Sequence, residues 1–561
     1  MIRSRFFFPG SRVVRAAWAI ALGAELGLAV FAAGNKTTIR FDTVGYLLEH
    51  EKRASIAASC SEFAVVRVGD GARVVTGTAK GPMRNADTDE DLWTVDFSAV
   101  REPGEYRLEV SGVGGSAPFR VGADVYDAAF RAVTRGMYLW RCGTAVRGEY
   151  GGDVFVQAAC HLEDAWLDFV TGKHEQQKAT GGWHDAGDYN KYVVNAGVTV
   201  GAMLQAWKDF EPAVRGIALN LPASGGPLPE FLAEIKWELD WLLAMQAPDG
   251  AVYHKLTTEN FGGFIRPEAE KTPRYFTPAG TAAAADFVAM LAAGARAMEP
   301  FDPSYAERCQ SAARKSYAYL QENPADQSPD LSKFKTGAYQ TPDPDERLWA
   351  AAEVWETTGD GAALRDFETR IRALGTQWDE NFDWGNVKNL GLITYLRSTR
   401  PGRDAALVAE LRDNLVATAN AIVAKRDSHG YARPLGTMYY WGGNGGVARQ
   451  TLILQAAHRV APNPKYVATA LDALHHLFGR NVHGRSYVTG IGYLPPLKPH
   501  DRRSGADDVE APWPGYLVGG ANPKAADWYD VQNDFRTNEI AINWNGALIY
   551  ALAWAISVGE R

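Results

Sequence analysis

The hydrophobic period of this chain changes once, near residue 123, from the two-residue alternation of strands to the 3.6-residue recurrence of helices. Between Thr37 and Val121, short β-rich runs (TTIRF, FAVVRV, LWTVDF, EYRLEV, APFRV) are separated by Gly, Asp and Asn turns, the spacing of an all-β sandwich. From Tyr126 onward the pattern is helical. Leu228, Phe231, Leu232, Ile235, Leu239, Leu242 and Leu243 lie on one stripe, and similar stripes recur near 191–210, 280–298, 304–323, 345–358, 404–426, 445–460, 464–479 and 538–556. The pattern predicts about a dozen helices and almost no strand. ETTGD indicates how neighbours connect: Gly359 suits the left-handed position that ends one helix, and Asp360 the cap of the next. Such helical hairpins, repeated six times around an axis, make an α/α barrel with function on the longer loops at one end.

Ahead of the sandwich, Arg3, Arg5, Arg12 and Arg15 precede an apolar run from Ala16 to Ala33, and Ala32, Ala33 and Gly34 suit a signal peptidase. Residues 1–33 therefore read as an export signal. Glu25 within the run weakens a membrane-anchor reading, and no other apolar run is long enough to span a bilayer, so a secreted or periplasmic protein free of membrane is expected. The net charge of −8 and the lack of a clustered Lys/Arg face argue against nucleic acid as a partner. Four cysteines are too few for a disulfide scaffold in a chain of 561 residues.

Polar residues that carry chemistry concentrate in four places. In GGWHDAGDYNKYVVNAG (181–197), Asp185 and Asp188 stand three apart, close enough in a turn for both carboxylates to address one water. Such pairs also occur on solvated helix starts, but Trp183, Tyr189 and three glycines crowd this one. In WYDVQNDFRTNEIAINWNGALIYALA, Glu539 opens a mostly apolar helix. As a solvated charge it would favour the helix dipole; tucked against Ile540 and Trp544 it would have a raised pKa and could donate a proton. His500 and Arg502 share the loop SYVTGIGYLPPLKPHDRRS, where the structural alternative is a surface salt-bridge loop. Cys142, Cys160, His161 and His184 form the fourth group, enough ligands for a closed tetrahedral zinc site. A Cys142–Cys160 disulfide and unrelated buried groups are the competing readings.

These segments together resemble glycoside hydrolase family 9, especially its bacterial members with an N-terminal immunoglobulin-like domain. GGWHDAGDYNKYVVNAG is similar to that family's base motif, SYVTGIGYLPPLKPHDR to its His-x-Arg signature and YDVQNDFRTNEIAINWNG to its acid signature, with departures at Leu494 and Gly546; RCGT, ACHLEDA, VYHKLT and GLITYLRS add matches between them. The resemblance implies a multidomain chain: an immunoglobulin-like all-β sandwich over 35–122 and an all-α six-hairpin (α/α)6 barrel over 124–561. It implies Asp188 as general base, Asp185 as the second carboxylate on the water and Glu539 as general acid. It further implies His500 and Arg502 as hydroxyl-binding groups, and structural zinc on Cys142, Cys160, His161 and His184.

Trp441 and Trp544 are candidates for stacking on sugar rings, with plain packing as the alternative. Calcium is a further implied ion, for which Asp326, Asp330, Asp343 and Asp345 are loop candidates equally consistent with solvation. The expected activity is inverting endo-β-1,4-glucanase action by a monomer on cellulose-type or mixed-linkage β-glucan or cello-oligosaccharides. The alternatives are an exo-acting β-glucosidase, cellobiohydrolase or exo-β-glucosaminidase on short oligosaccharides, if 255–275 or 325–345 closes one end of the cleft, and more remotely a non-catalytic sugar-binding protein. Helical pattern continues almost to residue 561, so no cellulose-binding module is expected after it, and soluble or amorphous glucan is the expected form.

Overall fold

The computed structural model describes residues 37–222 and 226–559; the expected export signal over 1–33 lies outside the described residues. The sandwich contains β1 (Ile39–Arg40), β2 (Gly45–Tyr46), β3 (Arg53–Ile56), β4 (Glu62–Arg67), β5 (Arg73–Thr78), β6 (Lys80–Asn85), β7 (Glu90–Asp96), β8 (Gly104–Val110), β9 (Gly114–Gly115) and β10 (Phe119–Val121). One sheet runs β1-β3-β7-β6 and the other β2-β10-β8-β4-β5, with β9 on β8. All pairs are antiparallel except β2 with β10. Alternate residues point inward, so Ala54, Ile56, Val65, Val95, Tyr106, Leu108 and Phe119 form a separate apolar core between the sheets.

The first helix begins six residues after β10 ends. Twelve long helices follow among the described residues: α1 (Asp127–Leu139), α2 (Val193–Val214), α3 (Glu230–Ala244), α4 (Thr281–Met298), α5 (Pro303–Glu322), α6 (Pro344–Thr358), α7 (Gly361–Leu374), α8 (Lys388–Arg397), α9 (Ala405–Asp427), α10 (Gly443–Val460), α11 (Pro464–Leu477) and α12 (Ile542–Gly559). The even-numbered helices form an inner ring and the odd-numbered ones the outer layer. Within the ring α2 packs on α4, α4 on α6, α6 on α8 and α10 on α12, and α12 returns to α2, bringing the last hairpin against the first. Gly359 takes the left-handed conformation at the end of α6, and Asp360 accepts from the Ala362 amide at the start of α7.

Two expectations need correction. α4 is by length and composition apolar enough to cross a membrane, but it is an inner helix buried in the barrel, which is why its sequence carries so little polarity. The helical region also contains strands: a hairpin of β11 (Val146–Tyr150) and β12 (Asp153–Gln157), and a small sheet of β13 (Lys191–Tyr192), β14 (Lys255–Thr257) and β15 (Tyr275–Phe276). Strands of two or three residues leave no periodic trace in a sequence, yet β13 fixes the chain just after Asp188. Every inner helix is entered at one end of the barrel. The segments before α2, α6, α8, α10 and α12 carry Asp185 and Asp188, Tyr339, Asp383 and Trp384, Trp441, and Glu539 respectively, so residues distant in sequence meet there.

Candidate active site

A cavity of about 430 Å³ at that end is lined by Asp185, Asp188, Glu539, Tyr192, Tyr339, Asp383, Asn543 and the rings of Phe261, Trp384, Trp441 and Trp544. Two larger hollows lie elsewhere. One, of about 720 Å³, rests on the β5-β4-β8 face of the sandwich, and one, of about 510 Å³, opens at the opposite end of the barrel. Carboxylates there have partners within the chain: Glu109 pairs with Arg73 and Arg107, and Glu353 with Arg296 and Trp349. In the smaller cavity the carboxyl groups face one another.

Asp185 and Asp188 are buried in the turn that leads to α2. Asn195, in the first turn of α2, donates to Asp185 Oδ1 at 2.6 Å, and the Tyr339 hydroxyl donates to Oδ2 at 2.8 Å. Burial, then the neighbouring Asp188 charge, pushes the Asp185 carboxyl up from its ordinary range. Asp188 is held differently: Asn190 and the Tyr192 hydroxyl both donate to its Oδ2, at 2.6 and 3.0 Å. Both of these donors go to Oδ2 and neither to Oδ1.

Glu539 does not open a helix. It follows a short helix, Phe535–Asn538, in extended conformation (φ −70°, ψ 157°), and α12 starts three residues later. Pairing sets this conformation: Glu539 bridges His500, its carbonyl accepts from the Gly519 amide, and Ile540 bridges Val518. The carboxyl is thereby presented to the cavity. Burial lifts its pKa well above the usual carboxylate range, the charges of Asp188 and Asp185 add to the rise, and Arg502 and a hydrogen bond from Trp441 oppose it. Of the two settings open to this residue, it takes the one tucked into the protein and away from a helix N-terminus.

His500 and Arg502 sit behind these groups. His500 Nδ1 bonds the Gln532 carbonyl at 2.7 Å, and burial lowers its pKa, so the neutral ring is favoured. Arg502 donates from Nη1 to the Gly187 carbonyl at 2.7 Å and from Nε to the Gly262 carbonyl at 3.0 Å, fastening the Asp185–Asp188 turn to the Phe261 loop. Glycine is required at 187, where a Cβ would stand 2.2 Å from the His500 carbonyl oxygen. Of the two tryptophans, Trp441 is 51% exposed and available to a ligand, whereas Trp544 is 6% exposed and packs under Gly442, Gly445 and Gly519.

Tyr339, Trp384, Asp383, Asn543 and Phe261 escaped the sequence reading. The segments of Tyr339, Asp383, Trp384 and Phe261 have no periodic signal, and Asn543 is a polar residue within an otherwise apolar helix; Tyr339 is distinguished by a positive φ of 45°, which no residue pattern announces.

Cys142, Cys160, His161 and His184 converge behind the Asp185 turn, their ligand atoms all within 4.8 Å of one another. Both cysteines are free thiols. Cys142 Sγ lies 3.6 Å from His161 Nδ1, and Cys160 Sγ 3.8 Å from His184 Nε2. A tetrahedral ion with bonds of about 2.3 Å to sulfur and about 2.1 Å to nitrogen holds such atoms about 3.6 Å apart, so the donor set fits zinc. The outer nitrogen of His161 bonds Glu270 at 3.2 Å, the orienting contact a ligating imidazole needs. Asp326, Asp330, Asp343 and Asp345 do not assemble in this way. Asp343 pairs with Arg347, and Asp330 accepts from the Ser332 amide.

Facing carboxyl groups, one of them with a raised pKa, and flat rings around an open hollow suit cleavage of a glycosidic bond by acid and base, and the class they point to is the glycoside hydrolases. Within that class the chain belongs to glycosyl hydrolase family 9, whose model matches residues 126–552, and the model of the cellulase N-terminal ig-like domain matches 35–115. It is 54% identical over 518 residues to Endoglucanase D of Acetivibrio thermocellus, covering 92% of this chain and 83% of that one. Among solved structures it is similar to a metagenome-derived family 9 endoglucanase (TM-score 0.87, 32% identity, 92% of this chain and 99% of that chain). It is also similar to a Zn-binding triple mutant of the family 9 endoglucanase J30 (TM-score 0.85, 33% identity, 91% and 99%).

Proposed function

We propose that this protein is an endo-β-1,4-glucanase that hydrolyses cellulose-type or mixed-linkage β-glucan with inversion at the anomeric carbon. The observation that carries the reading is the half-buried Glu539 carboxyl facing two aspartates in one cavity, where its own burial and their charges raise its pKa. Asp188 Oδ1 removes a proton from water while the water oxygen attacks the anomeric carbon. Glu539 delivers its proton to the departing glycosidic oxygen on the opposite face, and the bond to the leaving sugar breaks. Asp185, fixed by Asn195 and Tyr339, holds the same water from its other side. Trp441 offers its exposed ring to a pyranose face, whereas for His500 and Arg502 a hydroxyl-binding role rests on the family resemblance, since neither lines the cavity and Arg502 is bonded to the Gly187 and Gly262 carbonyls.

Zinc on Cys142, Cys160, His161 and His184 would supply a structural strut, since four protein ligands leave no position for water. Calcium rests on the family resemblance alone: of the loop residues expected, Asp345 lies beside the buried Asp286 and Glu346, whose pKa values are raised by burial and by the charges of neighbouring carboxylates. Export as a monomer completes the reading and rests on the N-terminal sequence and on the family.

Endo action is favoured by the relatives' activities as named. An exo-acting reading has one observation behind it: Phe261, 49% exposed, stands beside the cavity on a loop fastened by Arg502 and by Tyr189. A product time course on cellohexaose and carboxymethylcellulose tests the two. A rapid viscosity drop with mixed products is expected; steady release of one product without viscosity loss would overturn endo action.

A further inference from the structure

We propose that Asp87 of the sandwich is a positioning residue for substrate binding, because it holds the loop that delivers Trp441 to the catalytic cavity. The proposal rests on the reading of Trp441 as a sugar-contacting ring. Residues 428–442, between α9 and α10, contain neither helix nor strand, so no backbone ladder sets their path. Side-chain bonds set it instead, and several come from the sandwich. Ser55 donates to the Gly430 carbonyl at 2.9 Å, Asn85 accepts from the Gly430 amide at 2.9 Å, and Tyr431 donates to Glu90. Leu92, Tyr431 and Val482 close this seam with a small apolar cluster.

Nearest the cavity, Asp87 Oδ2 takes both His429 Nε2 at 3.1 Å and the Tyr439 hydroxyl at 2.5 Å. The three successive rings Tyr439, Tyr440 and Trp441 then diverge. Tyr439 points to the sandwich, Tyr440 donates to Asn381 on the barrel side, and Trp441 reaches the cavity, where it meets Phe535 edge-on at 5.4 Å. Arg433 lies over the Tyr439 ring and donates to the carbonyls of Gly436 and Met438, which stiffens the segment between the anchor and the indole. Asp87 is thus two residues, through one hydroxyl, from the ring that would meet the sugar. Glu90 and Ser55 act about ten residues farther back. Loss of the Asp87 carboxylate frees the indole to leave the geometry a sugar needs and loosens its hydrogen bond to Glu539, while Asp185 and Asp188, on another segment, keep their own partners.

The test is steady-state kinetics on cellohexaose for Trp441→Ala, Asp87→Ala, Tyr439→Phe, the Asp87→Ala/Trp441→Ala double variant and Glu51→Gln. Glu51 meets Arg426 at the same seam but away from the loop, so Glu51→Gln should match the parent. Trp441→Ala should raise KM by about three- to tenfold, the scale of an aromatic contact. Asp87→Ala and Tyr439→Phe should raise KM in the same direction with any change in kcat no larger than that of Trp441→Ala, and the double variant should be no worse than Trp441→Ala alone. Tyr439→Phe keeps the ring and removes only the hydroxyl, so it reports on positioning even where Asp87→Ala lowers stability. Raised KM in Trp441→Ala with parental KM in Tyr439→Phe, or losses that multiply in the double variant, would overturn the positioning. Parental KM in Trp441→Ala would instead contradict the sugar contact on which it rests.

Discussion

His184 and Asp185 are neighbours in the chain, yet they belong to two sites built on opposite principles. On the His184 side, four donors converge at distances that suit one ion, and one of them, His161, is oriented from behind by Glu270. On the Asp185 side, three carboxyl groups of like charge are held facing one another, with the pKa of two of them raised and the Asn190 and Tyr192 donors both on one oxygen of Asp188. The cluster gathers donors that one cation would satisfy together; the cavity gathers acids that oppose one another's ionisation. Placing them one residue apart gives the second the rigidity of the first. A turn rich in glycine (Gly181, Gly182, Gly187) would otherwise have little reason to hold two repelling carboxylates.

The comparison breaks if the two sites respond alike to substitution. Glu539→Gln and Asp188→Asn should each cut kcat by about 10²–10⁴-fold, with melting temperature and binding of cello-oligosaccharide little changed. Losses within about tenfold for both would contradict the division of acid and base. Cys142→Ser should do the reverse. Thermal melting should fall by several degrees, elemental analysis should drop from about one zinc per chain toward none, and activity of the folded fraction should decline by less than about tenfold. Parental stability in a metal-free variant would remove the strut from the account.

A smaller effect sharpens the comparison from the acid side. Glu539 must be protonated to act, and its pKa is raised, so kcat/KM should hold at pH values above the ordinary carboxylate range and fall only as Glu539 ionises. Asp185→Asn removes one negative charge that disfavours that ionisation. The alkaline limb of the residual activity should therefore move to lower pH; a limb that stays in place or moves up would assign it to another group.

How far the sequence reached follows from the same physics. Helix stripes, the Gly359–Asp360 junction and the strand runs are set by local patterning, so both domains were legible, and the Cys/His group and Asp185–Asp188 stood out as polar residues in odd company. Glu539 was found but misplaced on a helix, because its extended conformation comes from pairing with His500, nearly forty residues earlier in the chain. Tyr339, Asp383 and Asn543 were invisible, since only closure of the barrel turns two unrelated loops and the first turn of α12 toward one hollow. Trp441 and Trp544 are indistinguishable by residue type, and neighbouring glycines buried one of them.

The most direct test of the central claim is proton NMR of the first product released from a β-linked cello-oligosaccharide, recorded before mutarotation. Water activated by Asp188 attacks the face opposite the bond that Glu539 breaks, so the new reducing end should be the α-anomer. Early β-anomer would mean a covalent glycosyl-enzyme, and the assignment of base and acid would be wrong.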